Sequence, residues 1–312
     1  MAAETARMYG AVVGHIVGDA LGVPVEFVPR EKLAKAPVTG MLEYGTHHVP
    51  RGTWSDDSSM MLCTLESLTE TQRVDLPDLM ARFSRWAKEG YLTPYGRAFG
   101  VGRTVLRALG KYWRGTEPAA CGCTAERDSG NGSLMRILPV ALFLAMRVPG
   151  LAAAEKLEVI HSVSALTHAH PCPCTACGIF SVVLWELLET PSFGAIHAGL
   201  EKAAAFYAGR PGADAYSRLF SPDFAGLPAA QIESSGYAPS TLEAAIWCVL
   251  TSDSYRSCVL KAANLGGDAD TIAAVAGSLA GALYGRESIP PEWVGVLARR
   301  DEIDAMCGRF FA

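Results

Sequence analysis

The chain is short of charge and has little that would tie it to a membrane, a nucleic acid or an oxidising compartment. Only 19% of its 312 residues are charged, and half are hydrophobic. Even so, no run of about 18 uncharged apolar residues stands out, the length a membrane span needs. The apolar stretch Ala11–Val17 contains a glycine and runs into Asp19, and no basic region ending in a small-residue cleavage site accompanies it. A soluble, cytoplasmic protein with no membrane partner is expected. Basic residues are not in excess: 27 Lys and Arg face 32 Asp and Glu, a net charge of −5. That balance gives no electrostatic case for nucleic acid or an anionic surface. Nine cysteines in a chain this long do not make a disulfide framework, so reduced thiols are expected. Alternating runs of Val, Ile and Thr between turn signals are missing, which excludes a strand-rich fold. No repeat of roughly 20–50 residues and no Ser- or Gly-rich linker divides the chain. The expectation is a single compact multi-helix all-α domain over residues 1–312, a monomer, well above the helix content of an average protein.

Among what is present, Leu265–Gly285 organises the rest. It opens on two glycines, sets Asp268 and Asp270 one residue apart, adds a hydroxyl at Thr271, and continues as an apolar run of small residues. Ala273, Gly277, Gly281 and Gly285 are four apart, so on a helix they share one face and leave a groove for another backbone. The first predicted helix, Thr5–Leu21, carries the same device at Gly10, Gly14, Gly18 and Gly22. Its interior holds Asp19, and Val23–Phe27 then leaves the helix with Glu26 near the end. Residues 30–50 read as loop. Further helices are predicted after Ser55, over Leu76–Gly90, at the end of Thr93–Gly110, and over Ser133–Met146 despite Pro139. Others follow over Ala152–Thr167 and Cys177–Leu188, from Phe193, over Ser240–Ser252 and over Ser254–Asn264.

Ser55-Asp56-Asp57 and Asp268-x-Asp270-Thr271 are alike: two carboxylates and a hydroxyl at a helix start. Either alone is explained by capping and the helix dipole. Together, beside helices rich in small, burial-prone residues, they suit hard divalent cations, which take oxygen ligands. Two such ions about 4 Å apart can lower the pKa of a shared water and orient a substrate's oxygens.

At this point the chain resembles the ADP-ribosylglycohydrolase family, including its bacterial dinitrogenase-reductase-activating branch. The matching pieces, in family order, are GAVVGHIVGDALGVPVEF, GTWSDDSSM, GNGSLMRILPV, THAHP and LGGDADTIAAVAGSLAGALYG. The resemblance implies an all-helical domain holding two divalent cations, Mg²⁺ or Mn²⁺, on Ser55, Asp56, Asp57, Asp268, Asp270 and Thr271. Ser55 stands where the family often has Thr and keeps the hydroxyl. The implied reaction is hydrolysis of the bond between C1″ of ADP-ribose and an acceptor, with arginine on protein as the first expectation. Serine, nucleic-acid, acetyl-ester and polymer linkages are the alternatives, so nucleic acid is expected only as a modified substrate. Outside hydrolysis at C1″ stand a two-metal phosphoesterase and a silent ADP-ribose-binding protein.

The same resemblance makes Glu26 or Asp128 the catalytic base and places ribose against Ser129, Gly130, Asn131, Gly132 and Ser133. His168 resembles a ribose- or phosphate-contacting residue, and Tyr237 an aromatic near the adenine. Phe99-Gly100-Val101-Gly102 departs from the family's Phe-Asp-x-Gly; Gly100 and Gly102 are still expected at the cleft, with substrate preference altered. Arg136 is expected to pair with a buried acid. The stretch HAHPCPCTAC offers zinc-like spacing at Cys174 and Cys177 but no good second ligand pair, so buried thiols at a helix start are expected.

Overall fold

Two glycine-lined helices form the axis of the structure, a computed structural model that describes residues 3–312. In chain order the helices are α1 (Ala3–Gly22), α2 (Arg30–Lys35), α3 (Asp56–Thr71), α4 (Leu76–Glu89), α5 (Arg103–Tyr112), α6 (Leu138–Arg147) and α7 (Ala153–Ser164). They continue as α8 (Pro171–Glu189), α9 (Phe193–Tyr207), α10 (Ala238–Leu250), α11 (Tyr255–Asn264), α12 (Ala269–Tyr284), α13 (Pro291–Val294) and α14 (Arg300–Phe310). Among the described residues, strand pairing is limited to three isolated bridges. The all-α reading holds.

Helix α1 runs antiparallel to α12 with backbone against backbone. A Cβ on Gly10 would lie 2.6 Å from the Gly281 carbonyl oxygen, and one on Gly14 2.3 Å from that of Gly277. At the end nearest the acids, a Cβ on Gly22 would lie 2.3 Å from the Asp270 Cα. The small-residue faces therefore meet each other, as their spacing predicts. This close approach fixes the distance between Asp19 on α1 and Asp270 on α12. From Ala269 to Ala282 every residue of α12 is buried, with α10, α11 and α8 packed around the pair. Val12, Ile16, Leu21 and Ile272 are fully buried, each stabilising by roughly 1.5–3 kcal/mol.

The structure departs from the sequence reading in several places. Helices α1 and α8 are long and apolar enough to cross a membrane, but 100% and 78% of the relevant windows are buried inside the fold, so they are core helices here. Pro139 does not interrupt α6; it lies in the first turn, where its missing N–H costs nothing. Helix α8 begins at Pro171, six residues before the expected start, with the His170 ring capping the Cys172 N–H at 3.3 Å. Residues 30–50 contain α2. The terminal helices α13 and α14 had no counterpart among the expected elements.

A candidate metal centre at the floor of a cleft

The first half of the centre is a helix start. Ser55 caps α3, its hydroxyl accepting from the Asp57 N–H at 3.2 Å. Asp19 reinforces that cap from α1. Its carboxylate accepts from the Ser55 and Ser58 N–H groups at 3.0 Å and from the Ser58 hydroxyl at 2.6 Å. The second half follows Gly266 and Gly267, both at positive φ (+69° and +65°), a turn that carries Asp268 to the head of α12. The halves meet directly: the Thr271 hydroxyl lies 3.3 Å from Asp57 Oδ1 and 3.4 Å from Asp268 Oδ1.

Two groups of three carboxylates result, Asp19–Asp57–Asp270 and Glu26–Asp268–Asp270. In each group one oxygen per residue lies within 4.8 Å of the others. All five side chains are buried, none more than 8% exposed. Desolvation is the largest cause pushing Asp56, Asp57 and Asp270 well above the ordinary carboxylate range, with mutual repulsion adding to it. Asp268 is raised for the same first reason, and Asp19 is pushed up to about 6. Among the described residues no Lys or Arg pairs with any of the five; the His47 ring contacts Glu26. Asp57 Oδ2 is buried with no hydrogen-bond partner among the described residues. An orphaned buried acceptor inside an all-oxygen acidic cluster fits a hard divalent cation, the charge such a cluster needs.

The centre floors a cleft of about 870 Å³. Glu26, Asp56, Asp57, Asp268, Asp270 and Thr271 wall it, together with Gly100, Gly102, Gly130, Asn131, Gly132 and His168. Ser55 is buried behind as the cap. Asn131 is tied into the cage, its Nδ2 donating to Asp268 Oδ2 at 2.5 Å and Thr241 Oγ1 at 2.9 Å. Gly100 has φ +76°, and a Cβ there would lie 2.2 Å from Asp56 Oδ1, so this chain has no room for a side chain where the family pattern carries Asp.

Asp128, the other candidate base, is not among the side chains that wall this cleft. It is buried, but its carboxylate is engaged by Arg107 from α5, by the Ala125 N–H at 3.2 Å and by the Thr104 hydroxyl at 3.4 Å. It faces a neighbouring cavity, and the nearby guanidinium is the physical reason. Ser129 and Ser133 are also turned from the cleft, Ser129 toward His170 at 3.0 Å and Ser133 toward Ser164 at 2.8 Å. Tyr237 is 41% exposed, contacts Cys172 through its hydroxyl and stands at the N-cap position of α10 without a side-chain cap bond. Among the described residues Arg136 has no acid partner: its Nη2 donates to Thr167 Oγ1 at 2.8 Å and the Val163 carbonyl at 3.2 Å, and the guanidinium covers the Phe83 ring. The cysteines of the 172–177 cluster are free, buried or half-buried at the start of α8.

His168 is held in one tautomer by hydrogen-bond accounting. Thr167 Oγ1 accepts from Arg136 and lies 2.9 Å from His168 Nδ1. Thr167 is fully buried, so its own proton goes to Nδ1, which leaves the His168 proton on Nε2. Burial, then Arg136 and Arg107, lower the His168 pKa to about 3, so the ring stays neutral. The Nε2–Cε1 edge lies under Gly130 and Gly132; a Cβ on Gly132 would be 2.8 Å from Cε1.

Asp19 carries no ligand signal in the sequence, where a lone Asp in an apolar helix looks like a local cost. His47 was also missed, and its only signal is a histidine in a loop.

These elements define a class, the all-helical proteins with a carboxylate-lined, cation-competent cleft. Within it, the chain belongs to the ADP-ribosylglycohydrolase family, whose model matches residues 1–312. It is 32% identical to "ADP-ribosylarginine hydrolase Tri1" of Serratia proteamaculans, over 97% of this chain and 78% of that protein. It is 31% identical to the "ADP-ribosyl-[dinitrogen reductase] glycohydrolase" of Rhodospirillum rubrum, over 95% and 92%. A solved structure described as an "ADP-ribosylglycohydrolase-related protein complex" superposes with a TM-score of 0.83 at 32% identity, covering 100% of this chain and 99% of that one.

Proposed function

We propose that this protein hydrolyses the C1″ glycosidic bond between ADP-ribose and an arginine side chain on protein, reversing ADP-ribosylation. The observation that carries the reading is the buried acid cage flooring an open cleft, in a chain whose relatives include an arginine-directed hydrolase. Ser55, Asp56, Asp57, Asp268, Asp270 and Thr271 would hold two divalent cations, Mg²⁺ or Mn²⁺, with Asp19 in reach of the same cluster. When bound, such ions orient the ribose hydroxyls and make a nearby water more acidic.

The chain's own residues supply the rest. Glu26 is the base toward the attacking water, because its carboxylate lines the cleft while that of Asp128 is committed to Arg107. His47 fixes the Glu26 carboxylate from behind. Asn131 holds Asp268 in place, and Gly130 and Gly132 let the sugar approach the backbone. His168 offers its Nε2–H to a ribose or phosphate oxygen. The protein works as a cytoplasmic monomer, one domain over residues 1–312.

The deciding experiment incubates the protein with ADP-ribosyl-arginine and a panel of other ADP-ribose conjugates, with Mg²⁺, Mn²⁺ or chelator. Free ADP-ribose and unmodified arginine, formed only with a divalent ion, are expected. AMP as product would assign a phosphoesterase instead. Glu26→Gln should lower kcat by about 10²–10⁴ while KM changes little; a matching loss in KM would move Glu26 into substrate or ion binding. Thr167→Val keeps the shape but frees the His168 tautomer. It should raise KM about tenfold, the worth of one well-placed hydrogen bond, and shift the ¹⁵N signals of His168. An unchanged tautomer would refute that hydrogen-bond chain.

A further inference from the structure

Helix α5 is amphipathic. It buries Thr104, Val105, Ala108 and Leu109 and turns Arg103, Arg107 and Lys111 outward at four-residue spacing. Arg114 continues the stripe one turn on, with its N–H bonded to the Lys111 carbonyl at 3.0 Å. A basic stripe on a helix is commonly only its solvated face, but this one differs in two respects. First, Arg107, Lys111 and Arg114 wall a second cavity of about 550 Å³, which Arg127 also lines, while Arg103 lines the cleft. That cavity shares Leu106, Arg107 and Arg127 with the cleft above the acid cage, so the two are one continuous surface. Second, the charges are largely uncompensated. Arg82, Arg218, Arg256 and Arg299 each hold a carboxylate, whereas among the described residues Arg103, Arg114 and Arg127 hold none and Lys111 holds only the Gly122 carbonyl. The acid in the groove wall, Asp128, is used by Arg107. In a chain of net charge −5, the groove is a local positive region beside a negative centre.

We propose that this groove docks an acidic segment of the modified protein, next to the ADP-ribosylated side chain in the cleft. The proposal rests on the glycohydrolase reading and adds a determinant of which proteins are served. Charge complementarity selects an acidic partner and speeds its encounter. A polypeptide is favoured over a nucleic acid strand because no aromatic side chain lines the groove, and base stacking is what single-strand binders rely on.

The test uses the full chain with Lys111→Gln and Arg114→Glu combined; both lie outside the cleft. A fluorescent Glu-rich peptide should bind the parent and bind the variant about tenfold more weakly. For an ADP-ribosylated protein modified within an acidic segment, kcat/KM should fall about tenfold through KM, while free ADP-ribosyl-arginine is hydrolysed within about twofold of the parent rate. Unchanged peptide affinity, equal losses on both substrates, or tighter binding of a single-stranded oligonucleotide than of the peptide would each overturn the assignment. If the parent releases no ADP-ribose but its peptide binding still depends on Lys111 and Arg114, the groove stands and the glycohydrolase reading falls.

Discussion

Asp57→Asn is expected to abolish turnover, by about 10³-fold or more, and at the same time to raise the melting temperature of the metal-free protein. The two effects have one cause. Asp57 is buried beside Asp19 and Asp270, its Oδ2 has no partner, and burial followed by repulsion from Asp19 pushes its pKa well up. An amide keeps the acceptor toward the Thr271 hydroxyl and puts a donor where the orphaned oxygen stands, on a residue grouped with two other carboxylates. The variant loses the charge a divalent ion requires and is relieved of the repulsion the ion would neutralise. The pH dependence follows with its sign. The raised carboxylates bind protons more tightly folded than unfolded, so stability falls as pH rises from the unfolded value near 3.8 through the folded values, about 6 for Asp19. Chelated parent protein should therefore melt higher at pH 5 than at pH 7. Mg²⁺ or Mn²⁺ should flatten that difference in the parent and have little effect on Asp57→Asn. Thermal scans with and without chelator decide it: a variant that keeps parental turnover, or melts lower than the parent without metal, would contradict the cage.

What the sequence reveals of this fold depends on whether a signal is periodic or solitary. The glycines of α1 and α12 announced their packing because four equally spaced small residues on two helices have few other uses. The two acid pairs were legible because each sat with a hydroxyl at a helix start. Asp19 was not, since nothing within one helix says that its carboxylate reaches the Ser55 and Ser58 N–H groups of another. The contacts of Asp128 were not legible for a related reason. Its offset from Asn131 said where the backbone lies, while the guanidinium that turns its carboxylate sits on α5, more than one element away in sequence. Arg136 was expected to find an acid and instead satisfies part of its guanidinium on a carbonyl and a hydroxyl and lies over an aromatic face. Composition points to neither outcome. The early start of α8 escaped because Pro-x-Pro reads as loop, although proline is at home in a first turn.

Gly14→Ala is expected to cost more than its single methyl suggests. Alanine is the better helix former by about 1 kcal/mol, so an isolated helix would gain from the change. In the fold the new Cβ would lie 2.3 Å from the Gly277 carbonyl oxygen and 3.0 Å from the Tyr255 ring. Neither neighbour can swing aside, because one is backbone inside α12 and the other is held by its hydroxyl donating to the Gly14 carbonyl at 2.7 Å. The helices must separate, and overpacking of a closed core typically costs about 1–3 kcal/mol, occasionally more. A net loss of about 2 kcal/mol is expected, a drop of roughly 3 °C in Tm for a chain of this size. The functional loss should exceed the structural one. Asp19 rides on α1 and Glu26 follows directly behind it, whereas Asp268 and Asp270 belong to α12, so separating the helices widens the cage itself. A misplacement of about 1 Å can cost 10²-fold in rate. Gly277→Ala, whose Cβ would lie 2.2 Å from the Gly14 carbonyl oxygen, should reproduce both effects. Gly308→Ala is the contrast: it lies in α14 with nothing within 4 Å of its Cβ, and should be neutral or slightly stabilising with full activity. Thermal melts and kcat/KM on the three variants form one test. Gly14→Ala behaving like Gly308→Ala would show that the close backbone approach does not set the geometry of the acids.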